Sequence, residues 1–166
     1  YVAKVDTTTL QVIDTCVVGY QPEEMVVVGD KLYVANSGGY RVPDYDRTVS
    51  VIDLNTFREI RKIDVAVNLH RLELDRYGNI WVSSRGDYYD TPSKTYVIDS
   101  RTDKVTAVFH LLPYPNMTLS ADSLYLYSTY WSCSAATFHN SYAISETRTK
   151  TSLPPTSLTY PTATNP

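Results

Sequence analysis

Few residues in this chain are spaced to perform chemistry on their own. His70, His110 and His139 have no histidine or cysteine at metal-ligand spacing. Cys16 and Cys133 stand near opposite ends of the chain, outside any CxxC pattern, and read either as buried thiols or as one disulfide. There is no Gly-x-Ser-x-Gly elbow and no phosphate-cradling glycine loop. Carboxylates cluster at Asp44-Tyr45-Asp46 and Asp87-Tyr88-Tyr89-Asp90, but neither cluster has the Asp/Asn/Gly spacing of a calcium loop, and both read as solvated loop groups. The triplet Asn116-Met117-Thr118 matches a glycosylation sequon and is read as a chance occurrence. The expectation is a non-catalytic protein with no cofactor and no metal site. One residue type is unusual: tyrosine, 15 of 166 residues against 3 Phe and 2 Trp, which shifts attention from catalysis to aromatic recognition.

Composition narrows the partners. A formal net charge of −3 offers no cationic field for a phosphate backbone, so no nucleic-acid partner is expected. Nothing approaches 18 consecutive apolar residues, so no membrane-spanning segment is expected.

Positioning is set by a repeat. Lys4-Val5-Asp6, Val51-Ile52-Asp53, Val97-Ile98-Asp99 and Ala143-Ile144-Ser145 recur about every 46 residues. In step with them run Lys31-Leu32-Tyr33-Val34-Ala35-Asn36, Asn79-Ile80-Trp81-Val82-Ser83-Ser84 and Ser123-Leu124-Tyr125-Leu126-Tyr127, each preceded by an apolar run and a short Gly- or Asp-containing turn. Every unit thus reads as a four-stranded antiparallel meander, which at this period is a β-propeller blade. The fold class is all-β, with about three and a half blades: outer strands over 1–19, blades over 20–66 and 67–112, and a divergent blade with a Pro/Ser/Thr-rich connector over 113–166. A propeller covers its blades only by closing, and the chain begins in mid-strand, so it is expected to be part of a longer polypeptide, with any targeting signal outside it.

The two rims differ. One carries turns of a few residues. On the other, loops over 38–47, 86–94 and 130–140 are long, and long loops on a rigid scaffold are where binding usually resides. These loops and the adjoining blade connections hold Tyr20, Tyr40, Tyr45, Tyr88, Tyr89, Tyr114, Tyr130 and Trp131, interleaved with Asn36, Arg85 and Asp87, while His70 stands at the start of an innermost strand. These twelve residues form the candidate ligand-binding set, suited to a ligand with flat apolar parts and polar edges.

The segment from Gly29-Asp30-Lys31-Leu32-Tyr33-Val34-Ala35-Asn36-Ser37-Gly38-Gly39 to Thr48-Val49-Ser50-Val51-Ile52-Asp53 resembles the YVTN-type repeat of bacterial surface and periplasmic propellers. More narrowly, Asn68-Leu69-His70-Arg71, Tyr77-Gly78-Asn79-Ile80-Trp81-Val82-Ser83-Ser84-Arg85-Gly86-Asp87-Tyr88-Tyr89-Asp90 and Tyr127-Ser128-Thr129 are similar to gut-bacterial surface lipoprotein propellers that capture cobalamin. The resemblance covers roughly residues 1 to 130 and decays from Ser132 onward. It implies a seven-bladed ring, lipid-anchored on the extracellular face of the bacterial outer membrane, that binds cobalamin or a similar bulky small molecule and delivers it to a TonB-dependent transporter. The alternatives are a propeller that binds a glycan or a protein, or a metal-dependent propeller hydrolase of the lactonase kind using Glu24, Asn68 and Asn116.

Overall fold

The computed structural model describes residues 1–110, 116–120, 123–127 and 142–145. These form thirteen strands: β1 (Val2–Val5), β2 (Val12–Cys16), β3 (Pro22–Val28), β4 (Lys31–Asn36), β5 (Thr48–Asp53), β6 (Arg58–Asp64), β7 (Leu69–Leu74), β8 (Asn79–Ser84), β9 (Lys94–Asp99), β10 (Lys104–Phe109), β11 (Asn116–Leu119), β12 (Ser123–Tyr127) and β13 (Tyr142–Ser145). Among the described residues there is no helix, hence none long and apolar enough to cross a membrane. All pairing is antiparallel and sequential, giving the pair β1-β2, the four-stranded sheets β3-β4-β5-β6 and β7-β8-β9-β10, and the three strands β11-β12-β13. The expected meanders are therefore present, and the architecture is all-β and propeller-like.

Side-chain alternation builds the stack, because successive residues of a strand face opposite sides. From β4, Leu32 and Val34 join Val2, Cys16, Val18, Ile52 and Phe57 in one apolar layer. Tyr33 and Ala35, pointing the other way, join Val49, Val51, Leu69, Leu72, Ile80, Val82 and Ile98 in the next. Met117 and Leu124 begin a third layer against Trp81. Each fully buried Val, Leu or Ile contributes roughly 1.5–3 kcal/mol, so it is sheet-on-sheet burial that holds the units together. The first strands of successive sheets are neighbours, β3 packing on β7 and β7 on β11, so the sheets radiate from a common line. Cys16 is a free, buried thiol in the first layer, while Cys133 and the connector lie outside the described residues.

The repeated aspartate has a local explanation. In three successive turns the main-chain N–H four residues on donates to the aspartate carbonyl, from Leu10 to Asp6, Phe57 to Asp53 and Asp103 to Asp99, each at 2.8 Å. The last residue of each turn is left-handed, with φ of 57°, 53° and 54° at Leu10, Phe57 and Asp103. The aspartate side chain accepts from the turn amides: Thr8 and Thr9 on Asp6, Thr56 on Asp53, Arg101 on Asp99. These bonds hold the Asp6 and Asp53 carboxyls below the usual range.

On this short-turn side, one turn also locks neighbouring sheets. The hydroxyl of the fully buried Tyr33 donates to Asp103 Oδ1 at 2.6 Å, and Lys31 Nζ donates to both carboxylate oxygens at 2.9 and 3.0 Å.

Candidate functional site

The opposite side carries the long connections between β4 and β5 and between β8 and β9. Their paths are fixed from within. Gly38, at φ 58°, brings the chain so close to its own return that a Cβ would lie 2.2 Å from Asp46 N; Gly86, at φ 68°, would place one 2.0 Å from Thr91 O. Asp46 gathers the first loop: Oδ2 accepts from Tyr20 N at 2.7 Å, and Oδ1 accepts from Thr48 N and Oγ1 at 2.9 and 2.7 Å. Asp87 does the same for the second, accepting from Tyr89 N, Thr91 N and Thr91 Oγ1 at 2.8–2.9 Å. Those donors hold the Asp87 carboxyl below its usual range.

Internal fixing leaves aromatic surface facing out. Tyr20, Tyr40, Tyr88 and Tyr89 are 58%, 92%, 50% and 86% exposed, enough area to meet a ligand. The Arg41 guanidinium lies over the Tyr20 ring at 3.8 Å, a cation–π contact that pins the ring. Tyr45 is half-buried. Partial burial and then the neighbouring Tyr88, Tyr89 and Asp87, on the loop of the adjacent sheet, push its hydroxyl up. Tyr88 is left-handed at φ 69°, an uncommon conformation for a non-glycine residue and one that clusters at functional sites.

Beneath the rim, along the line of first strands, runs a row of polar side chains. Its links are the Ser37 hydroxyl donating to Glu23 Oε1 at 2.9 Å, and Arg71 donating to Glu24 Oε1 at 3.2 Å and, through Nε, to Asn116 Oδ1 at 3.1 Å. Glu24 Oε2 accepts from Leu72 N at 3.0 Å, tying β3 to β7. His70 sits at the centre. Its Nε2 is 3.1 Å from Asn116 Oδ1 and 3.0 Å from an Arg85 nitrogen, so in a given tautomer it either donates to the former or accepts from the latter. Burial and then the Arg85 charge hold His70 below its ordinary pKa, hence neutral near pH 7. Two carboxylates, Glu23 and Glu24, face two guanidiniums, Arg71 and Arg85. These four groups pair by charge, with the Glu73 carboxyl nearby pushed up by burial and then by Glu24, and the row can present both donors and acceptors to a polar ligand edge.

The structure brings Tyr20, Tyr40, Tyr45, Asp87, Tyr88 and Tyr89 to the rim and His70 and Arg85 to the row below. Asn36 is elsewhere. It is fully buried, its Nδ2 donating to Thr48 Oγ1 and Ser50 Oγ at 3.1 and 2.9 Å, so it supports the loop rather than facing outward. Tyr114, Tyr130 and Trp131 lie outside the described residues. Of the set Glu24, Asn68 and Asn116, Glu24 and Asn116 are both engaged by Arg71, whereas Asn68 Nδ2 donates to Gly86 O at 3.0 Å. Arg41 and Gln21 were not among the candidates. Gln21 carries one signal in the sequence, its place about one repeat before Asn68, and the structure gives both the same left-handed backbone, at φ 50° and 56°. Arg41 had none.

No protein-family model and no curated protein matches the chain. Among solved structures it is similar to Kuenenia stuttgartiensis hydrazine synthase, with a TM-score of 0.61 and 22% identity over 74% of this chain. It is also similar to a chain of the complex of KlAtg21 with the coiled-coil of AgAtg16, with a TM-score of 0.52 and 16% identity over 76% of this chain. The chain spans 34% of the former's length and 40% of the latter's. At these identities the likeness concerns the fold.

Proposed function

We propose that this chain is part of a non-catalytic, seven-bladed surface propeller that captures cobalamin or another corrinoid on its long-loop face for a TonB-dependent outer-membrane transporter. The observation that carries the reading is the rim: four tyrosines at least half exposed, on loops whose backbones are fixed internally, above a row of charge-paired polar groups. Rigid aromatic area with polar tips suits a broad ring with apolar faces and hydrogen-bonding edges. Lipid anchoring on the extracellular face of the outer membrane belongs to the same reading and rests on the sequence resemblance.

Closure into a larger ring is supported by surface the described strands leave open. Met25 and Val27 pair with Val34 and Leu32, so they share that apolar side of the sheet, yet they are 50% and 53% exposed. They stand where two inner strands beside β1 would complete the first blade. The lengths of the two similar chains agree with a larger whole.

The test is calorimetric titration of the full-length parent protein with cyanocobalamin, beside a variant carrying Tyr40→Ala, Tyr88→Ala and Tyr89→Ala. Saturable binding that weakens roughly a hundredfold or more in the variant is expected, since three truncated contacts at about 1 kcal/mol each amount to that factor. Folded protein with no heat of binding would end the corrinoid reading and favour a glycan or protein ligand for the same face.

A further inference from the structure

One ring nitrogen in the polar row faces two neighbours that it cannot serve at once. His70 Nε2 lies 3.0 Å from Arg85 Nη2, which only donates, and 3.1 Å from Asn116 Oδ1, which only accepts. The Asn116 amide is oriented from its far side, because Arg71 Nε donates to the same Oδ1 at 3.1 Å and a flipped amide would set donor against donor. The other ring nitrogen, Nδ1, is buried without a hydrogen-bond partner among the described residues and faces Glu23 Oε2 at 3.9 Å. Among the described residues no three His, Cys, Asp or Glu side chains are grouped to hold a metal ion.

Charge decides which neighbour the neutral ring serves. With its proton on Nδ1, the ring turns an N–H toward the Glu23 carboxylate and offers Nε2 to the Arg85 guanidinium, and both contacts are favourable. With the proton on Nε2 the Asn116 bond forms, but a lone pair then faces Glu23 and N–H meets N–H at Arg85. The neutral ring is therefore protonated at Nδ1. A second proton, taken from solvent onto Nε2, reverses the choice: Nε2 donates to Asn116 Oδ1, Nδ1–H keeps Glu23, and Arg85 loses its acceptor to a cation of its own sign. The groups facing the ring are Arg85 from the β8–β9 connection, Arg71 from its own strand, Glu23 from β3 and the uncharged Asn116 from β11, while Glu24 and Glu73 stand by Arg71.

We infer that His70 and Arg85 form a proton-operated switch, in which protonation of Nε2 hands His70 from Arg85 to Asn116 and releases the guanidinium beneath the aromatic rim. The side chain of Arg85 is free to leave. It is 28% exposed, and its remaining charged contact is the 3.9 Å approach of Nη1 to Glu23 Oε1. Its backbone N donates to Asn68 O at 3.0 Å, so the loop stays while the side chain moves. In acid the row gains one positive charge and a free fork of N–H donors, which favours a ligand edge of carbonyl or anionic oxygens. The switch is a property of the fold; as regulation of ligand capture it rests on the proposed function.

The test is NMR of the full-length parent protein without ligand, its histidine and arginine side chains labelled with nitrogen-15, over about pH 8 to about pH 4. His70→Asn and Arg85→Lys assign the two resonances. The neutral ring is expected to carry its proton on Nδ1, and the Arg85 Nε–H signal to move with the midpoint of the His70 ring. In Arg85→Gln, which keeps a donor and drops the charge, that midpoint should rise by about one pH unit. A neutral ring protonated at Nε2, an Arg85 signal that ignores the His70 midpoint, a midpoint unmoved in Arg85→Gln, or no protonation before unfolding would overturn the switch. The tautomer and the shared midpoint are read in the unaltered protein, so the test stands if Arg85→Gln fails to fold. No arm of it uses cyanocobalamin, so failure of the switch and failure of the corrinoid reading are separate results.

Discussion

Replacing Asp103 by Asn tests how neighbouring sheets are locked. Asn tolerates the left-handed backbone at this position, so the change removes charge and little else. Two interactions weaken appreciably; the third, with the exposed Arg61 at 4.0 Å, counts for little. The short bond from the buried Tyr33 hydroxyl becomes neutral, a loss of about 1 kcal/mol when a charge-assisted bond is reduced to an ordinary one. The pair with Lys31, whose side chain is 33% exposed, is discounted for solvent and counts for about 1 kcal/mol. The sum is about 2 kcal/mol, or a fall in melting temperature of roughly 4–8 °C for a domain of this size. Asp103→Ala should cost about 4 kcal/mol, since Lys31 and Tyr33 lose the carboxylate altogether and a left-handed Ala adds about 1 kcal/mol. Urea unfolding followed by circular dichroism supplies the values, and a cycle with Tyr33→Phe isolates the pairwise part, expected at about 1–2 kcal/mol. If Asp103→Asn lies within about 0.5 kcal/mol of the parent, or the cycle is additive, the turn is not a lock and the reasoning fails.

Three further outcomes follow from backbone and charge. Gly86→Ala should destabilise by more than about 2 kcal/mol and release the loop carrying Tyr88 and Tyr89, because its Cβ meets a carbonyl at 2.0 Å, whereas Gly29→Ala, also left-handed but in open space, should cost only about 1 kcal/mol; urea midpoints compare them. His70 is held below its ordinary value in the fold, so on acidification the unfolded chain takes up its proton first: stability should fall as pH drops through about 6.5, and His70→Asn should flatten that slope in pH-dependent melting. Asp6, Asp53 and Asp87 are also lowered. Their contribution is present above the unfolded carboxylate value, near pH 4, and is lost as pH falls further through their folded values.

The meander and its turns were legible because their causes are local. An aspartate that accepts from amides two and three residues on writes the same turn wherever it recurs, and the alternation through Leu32, Tyr33, Val34 and Ala35 records two buried faces. Loop length alone separated the two rims. What escaped the sequence depends on where separate loops meet. Asn36 looks like any polar residue at a strand end. It is interior because β4 is covered on both sides, and its amide is taken by Thr48 and Ser50 across the loop. Arg41 over Tyr20, and His70 between Arg85 and Asn116, join residues whose proximity no short-range pattern encodes.

The division of labour within the rim bears on affinity. Binding through tyrosines is costly when loops must be ordered at the same time, at roughly 0.5–1.5 kcal/mol for each side chain immobilised. Here the ordering is done in advance. Asp46 takes the amides of Tyr20, Arg47 and Thr48, Asp87 takes those of Tyr89 and Thr91, and Gln21 takes that of Tyr40. Three of the four exposed tyrosines, Tyr20, Tyr40 and Tyr89, thus have their own backbone amides anchored to a side chain of the fold, so their rings can meet a ligand without the loops first having to condense. Three buried polar atoms near the loops have no hydrogen-bond partner among the described residues, Asn36 Oδ1, Asn68 Oδ1 and His70 Nδ1, and they lie below the rings rather than among them. A ligand that covered the rim with apolar area alone would leave these atoms unpaired, so under the proposed reading selectivity would rest on a polar group sent inward as much as on the aromatic surface.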